Sequence, residues 1–108
     1  MNDNFFALLG FARKAGKLSA GASAVTDAVK SKKAKLVIIG EDISPKSEKE
    51  IRFFAKEEIP VIRVNAGICQ LSAAIGKNAG IISVNDDHFS KAITDGITTG
   101  GTAYHDKK

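Results

Sequence analysis

Leu36-Val37-Ile38-Ile39 sets four large aliphatic side chains in succession, bounded by Lys35 and Gly40. Side chains of a strand alternate between two faces, so a run that is apolar at every position needs cover on both. Residues 35–40 are therefore expected to form an interior strand of a sheet with helices on each side. Glu41 and Asp42 follow at its carboxyl end, the edge where open α/β sheets generally place their ligands. As neighbours in a loop they suit a cap and a solvated charge better than an acid/base pair.

The flanking segments supply the remaining layers. Asp3 or Asn4 can cap a helix running to about Ala15, with Phe5, Leu8, Leu9, Ala12 and Ala15 at helical spacing. Gly16 suits the left-handed position after it. A second helix, about Ala22 to Ser31, carries Val25, Ala28 and Val29 as its apolar stripe. Ser44 caps a third helix with Pro45 in its first turn. Ile51, Phe54 and Ala55 face inward there, while Lys46, Lys49, Arg52 and Lys56 alternate with Glu48, Glu50 and Glu57 on a solvent face. Pro60 is expected to end this helix and open a strand, Pro60 to Val64.

Gly67 to Ile75 reads as a short helix with Ile68, Leu71, Ala74 and Ile75 buried and Cys69 as packing material. Ile81 to Val84 is a further strand. Asp86 or Asp87 caps a last helix carrying Phe89, Ala92, Ile93 and Ile97 on one face. From Thr98 the chain has little to bury and is expected to be a flexible tail. Strands alternating with helices give an α/β fold, a three-layer α/β/α sandwich around a single mixed sheet of about four strands, with residues 1–97 as one domain.

Between the first two helices, Leu18 to Val29 reads as a short extended piece turning into a helix. Gly21 tolerates φ > 0 and lets backbone approach a partner closely. Ser23, or Ser19 upstream, is the candidate cap. The unpaired N–H groups of such a helix start suit a phosphate or a base edge. The loop Gly76-Lys77-Asn78-Ala79-Gly80 also suits close approach to phosphates, although glycines turn chains without any ligand.

The net charge of +4 is unevenly spread: residues 1–35 hold seven basic side chains against two acidic, and the remainder nine against ten. The excess lies on Arg13, Lys14, Lys17, Lys30, Lys32, Lys33 and Lys35, around the Gly21 turn. It favours an anionic partner, nucleic acid ahead of membrane, beside the plainer reading of a solvated lysine-rich surface. No run approaches a membrane span, the start lacks the basic region of a secretory signal, and the single Cys69 forms no internal disulfide, so a cytoplasmic location is expected. His88 and His105 lack ligands at metal spacing, and no nucleophile elbow, phosphate loop or dinucleotide fingerprint occurs. Neither an enzyme nor a cofactor is expected.

Phe11-Ala12-Arg13-Lys14-Ala15-Gly16-Lys17-Leu18, Gly21, Ala28-Val29 and Ala34 through Asp42 together resemble the kink-turn-binding ribosomal protein family. Ile59-Pro60-Val61 and Leu71 through Lys77 continue the likeness, in one register over roughly residues 5–97, and it is nearest to small bacterial members of the YlxQ type. The resemblance implies an α/β/α sandwich that binds kink-turn RNA in ribosomal or other ribonucleoprotein particles, hence a cytoplasmic role in translation. In that family the RNA is read by the start of the second helix through a Gly-x-Asn-Glu-x-x-Lys pattern. Here the glycine is Gly21, while Ser23, Ala24 and Asp27 stand at the Asn, Glu and Lys positions.

The resemblance implies that Glu41, Asp42 and Ile43, and Lys77, Asn78, Ala79 and Gly80, flank the same RNA, beside Ala22. Arg13, Lys14, Lys17 and Lys33 would hold its backbone. A serine hydroxyl cannot replace the paired contacts of an amide, Ala24 offers no acceptor, and Asp27 repels phosphate. Each lost base contact costs about 1–3 kcal/mol. The expected partner is structured RNA, bound by a monomer with reduced base specificity. The alternatives are a protein-interaction module on the same fold and, more remotely, a nucleotide-binding domain using the Gly21 turn.

Overall fold

The computed structural model describes residues 3–100. In chain order the elements are α1 (Asp3–Lys14), β1 (Leu18–Ala20), α2 (Ala22–Lys30), β2 (Leu36–Ile39), α3 (Pro45–Ala55), β3 (Val61–Arg63), α4 (Ile68–Ile75), β4 (Ile81–Val84) and α5 (Asp87–Gly100). The strands form one mixed sheet in the order β1-β4-β2-β3. β4 runs antiparallel to both β1 and β2, and β2 runs parallel to β3.

The apolar run that demanded cover on both faces receives it. Leu36 and Ile38 enter a core with Phe5 and Leu9 of α1, Leu71 and Ile75 of α4 and Ile93 of α5. Val37 and Ile39 point the other way, against Val25, Ala28 and Val29 of α2 and Ile51 and Ala55 of α3. The same alternation divides Val61 from Ile62 and Ile81 from Ile82. Each fully buried Leu or Ile contributes about 1.5–3 kcal/mol. Helices thus pack on both faces of the sheet, which makes the α/β/α sandwich.

The local chemistry departs from the sequence expectation at several points. Neither Ser23 nor Ser19 caps α2: the N-cap is Gly21 itself, at φ 95° and ψ 153°, with no side-chain hydrogen bond. α3 ends at Ala55, well before Pro60, because Lys56 takes φ 55° and turns the chain out of the helix. Cys69 is exposed rather than packed, since α4 turns only the Leu71 and Ile75 side fully inward. Ala15 is exposed beyond the end of α1. α5 continues to Gly100, so the expected start of the tail at Thr98 falls within a helix. Residues 101–108 of that expected tail, and His105 with them, lie outside the described residues.

Other end signals hold. Ser44 Oγ accepts the Ser47 N–H at 3.2 Å, with Pro45 at the first position of α3. Asp86 Oδ2 accepts the Phe89 N–H at 3.0 Å at the start of α5. Gly16 occupies the left-handed region at φ 74°.

Candidate nucleic-acid interface

Strand directions decide which loops meet. β1, β2 and β3 all end at the sheet edge where the antiparallel β4 begins. The Gly21 turn, the loop after β2 and the loop before β4 therefore share one edge. Backbone hydrogen bonds tie them together: Gly21 N–H donates to Ile81 O at 2.9 Å, and Gly40 N–H to Gly80 O at 2.8 Å. The two predicted flanking loops, Glu41 to Ile43 and Lys77 to Gly80, are thus joined through Gly80 and Ile81 to the strand that receives Gly21.

At the centre, Ala22 and Ser23 are exposed at the start of α2. The first-turn N–H groups of a helix have no carbonyl of their own helix to bond, and no side chain caps them here. Asp27 is exposed one turn above Ser23, on the same outward face, and Ala24 is half-buried beside them. Gly21 is required by its backbone. At φ 95° a side chain would be strained even though a Cβ would meet nothing within 4 Å.

The loop after β2 is held from three sides. Arg63, at the end of β3, donates from Nη2 to Glu41 O at 2.7 Å and to Ile43 O at 3.2 Å, while its Nη1 pairs with Glu48 Oε1. Arg52 closes the network on Glu48 Oε2 at 2.9 Å. Partial burial alone would raise the Glu48 carboxyl, but the bonds and charges of Arg52 and Arg63 outweigh it and hold it below the ordinary glutamate value. Asp42 accepts the Ile68 N–H through both carboxylate oxygens, at 3.0 and 3.2 Å, and so caps α4 across 26 residues. Its carboxylate is a structural cap, and Glu41 is exposed.

The third side is apolar. A Cβ on Gly80 would lie 2.6 Å from Ile68 Cγ1 and 2.7 Å from Ile43 Cδ1. Gly80 therefore serves close packing of Ile43 rather than an unusual φ. The rest of its loop is fastened to α4 by Ser72, whose Oγ accepts the Ala79 N–H at 2.9 Å and donates to Asn78 Oδ1 at 3.4 Å. Lys77 remains exposed at the tip.

The basic residues of the predicted set do not all join this edge. Asn85 N–H donates to Lys17 O and Lys35 N–H to Val84 O, which places Lys17 and the Lys33–Lys35 segment at the opposite end of the sheet. Lys17 there lies near Asp86. That carboxyl is held below the ordinary aspartate value first by the Phe89 N–H and then, against desolvation, by the charges of Lys17 and His88. Lys14 is exposed in the last turn of α1. Arg13 reaches further: its Nη1 lies 3.8 Å from where a Cβ on Gly76 would sit, next to Lys77.

Arg63 lies outside the predicted set. Its one sequence signal is a cation inside the otherwise apolar Val61-Ile62-Arg63-Val64. Among the described residues, no three His, Cys, Asp or Glu side chains are placed to hold a metal ion, and no helix is long and apolar enough to cross a membrane.

Three comparisons bear on this arrangement. The model of the ribosomal protein L7Ae/L30e/S12e/Gadd45 family matches residues 3–94. Among solved structures, a protein with unknown function from Bacillus halodurans C superposes with a TM-score of 0.83 at 30% identity, covering 90% of this chain and 99% of that one. The Giardia lamblia 15.5kD RNA binding protein superposes with a TM-score of 0.70 at 17% identity, covering 92% of this chain and 89% of its own, a likeness of fold. A search of curated proteins found no match.

Proposed function

The chain belongs to the ribosomal protein L7Ae/L30e/S12e/Gadd45 family, and from that premise we propose that it is an RNA-binding protein of ribonucleoprotein type. It takes structured RNA of the kink-turn kind at the sheet edge around Gly21. The observation that carries the reading is the convergence there of an uncapped helix start with two braced loops. Free N–H groups, a glycine without a side chain and fixed flanking backbone suit the shape and backbone of a bent RNA. The RNA-binding structural neighbour adds support at the level of fold.

Base reading at this edge is weak. Ser23 offers one hydroxyl, Ala24 none, and Asp27 presents a negative charge. Lys77 and the nearby Arg13 supply attraction for phosphate, while Lys14, Lys17 and Lys33 act as a general basic field. The same Ala24 and Asp27 favour a second reading, in which the edge docks a protein instead.

The test compares wild type with the triple variant Ser23→Asn, Ala24→Glu, Asp27→Lys on a kink-turn RNA and on a plain duplex. Restoring three base contacts should tighten kink-turn binding at least tenfold and leave the duplex little changed. Failure of both proteins to bind either RNA at low salt would remove the RNA reading. A partner captured by wild type and unaffected by nuclease would favour the second.

A further inference from the structure

We propose that the outer face of α3, centred on Phe53, is a second RNA-binding surface that stacks an unpaired base of single-stranded RNA. Phe53 is 71% exposed, more than Phe11, the other exposed large apolar side chain among the described residues. Its ring presents a flat apolar face to solvent. Its neighbour Phe54 is committed to the fold, packed against the core under α2 and α3. Phe54 meets Phe53 edge to face, at 5.3 Å and 77°, and Lys30 Nζ lies 4.8 Å above the Phe54 ring. The Phe53 ring is thus braced on one side and open on the other.

The surroundings carry the charge of a nucleic-acid platform. A shallow hollow beside Phe53 is lined by Lys46, Lys49, Glu50 and Phe54. Lys46, Lys49 and Phe53 are three and four residues apart, so they share one helix face. Lys46 and Lys49 line the hollow beside Glu50, Lys30 lies over the adjoining Phe54 ring, and Glu57 stands four residues beyond Phe53. A flat ring among lysines is the combination that holds single strands without sequence preference, the ring stacking a base and the cations following the backbone. Neither the hollow nor the ring offers the deep apolar pocket that anchors a protein side chain. Helix α3 begins directly after the braced 41–43 loop, and Phe53 lies about 12 Å along it from Pro45. A strand leaving the RNA bound at the Gly21 edge would run onto this face. That last link rests on the proposed function, whereas the stacking platform stands on its own chemistry.

The experiment has two arms. In the first, the full chain is titrated with a seven-nucleotide oligoadenylate while the aromatic ring signals are followed by NMR. The Phe53 ring should shift upfield in a saturable way, Phe53→Ala should weaken binding roughly 5–100-fold, and Phe53→Tyr should retain it. Lys46→Glu with Lys49→Glu should flatten the salt dependence. In the second arm, a kink-turn RNA is compared with and without a six-nucleotide single-stranded overhang. The overhang should tighten binding to wild type and add nothing for Phe53→Ala.

If oligoadenylate moves Phe53 but the kink-turn RNA does not bind, the platform stands and the proposed function falls. If the kink-turn RNA binds, Phe53 stays unmoved and the overhang adds nothing, the platform falls alone. Broadening of Phe53 with protein concentration in the absence of RNA, together with a dimer in sedimentation, would assign the face to a second copy of the chain and overturn the proposal.

Discussion

Arg63→Met should loosen the candidate interface without touching it. The side chains of Arg63 and Glu48 are 31% and 21% exposed, so the pair is neither a free surface contact nor a buried one. The substitution keeps most of the packing volume and removes three interactions, with Glu48, Glu41 O and Ile43 O. Hydrogen bonds to charged groups contribute about 1.5–3 kcal/mol net, and exposed ion pairs about 0–1. Glu48 keeps Arg52 as a partner, which holds the loss below the 3–5 kcal/mol of an orphaned buried charge. A loss of about 2 kcal/mol follows, or roughly 8 °C in Tm for a chain of this size.

The pH dependence follows from the direction of the Glu48 shift. Its folded-state carboxyl lies below the ordinary glutamate value. The network therefore stabilises the fold fully above the unfolded value, about 4.3, and the contribution disappears as pH falls through the lower folded value. Arg63→Met removes part of that depression, so the gap between variant and wild type should be widest at neutral pH and should narrow below pH 4. Urea unfolding followed by circular dichroism at pH 7 and pH 3.5 measures it. The double variant with Glu48→Gln should show a coupling of about 1 kcal/mol between the two sites. A variant within 0.5 kcal/mol of wild type at pH 7, or a gap independent of pH, would refute the reasoning.

Two further substitutions probe the same framework. Gly80→Ala drives a Cβ into Ile43 and Ile68 and should cost about 1–3 kcal/mol in chemical denaturation. Adding Ile43→Val, which deletes the clashing Cδ1, should recover part of the loss, and no recovery would show that the strain lies elsewhere. Lys32→Gly should stabilise the protein by about 0.5–1 kcal/mol, because Lys32 sits at φ 65° just past α2, where glycine is unstrained. The Lys32–Glu58 pair that it removes, at 3.8 Å and well exposed, offsets little of this, and a Tm scan decides the sign.

Features that depend on a local pattern were the ones legible in the sequence. The aliphatic runs at 36–39 and 81–84 announce buried strands because period-two geometry leaves them no other cover, and Ser44-Pro45 announces a helix start. The Gly21 turn was legible as a place, since glycine before a helical stripe has few other uses. Its capping was not, because a serine two residues on competes with a glycine that needs no cap. Arg63 and Asp42 act across 20 to 26 residues of chain, and nothing near either one in sequence names its partners. The basic cluster misled for the same reason. Arg13, Lys17 and Lys33 lie in one third of the chain, but the sheet sends Lys17 and Lys33 to the edge opposite Gly21.

The strand order has a consequence in time. β1 has no sheet partner except β4, and Ala20 waits 62 residues for Ile82. During synthesis α2, β2, α3 and β3 emerge while the central slot between β1 and β2 is still empty. The carbonyls that receive the Gly21 and Gly40 N–H groups belong to residues 81 and 80, among the last to arrive. Such long-range pairing slows folding. It also makes the edge around Gly21 a late product of the chain, since the turn gains its sheet partner only once Gly80 and Ile81 have been added.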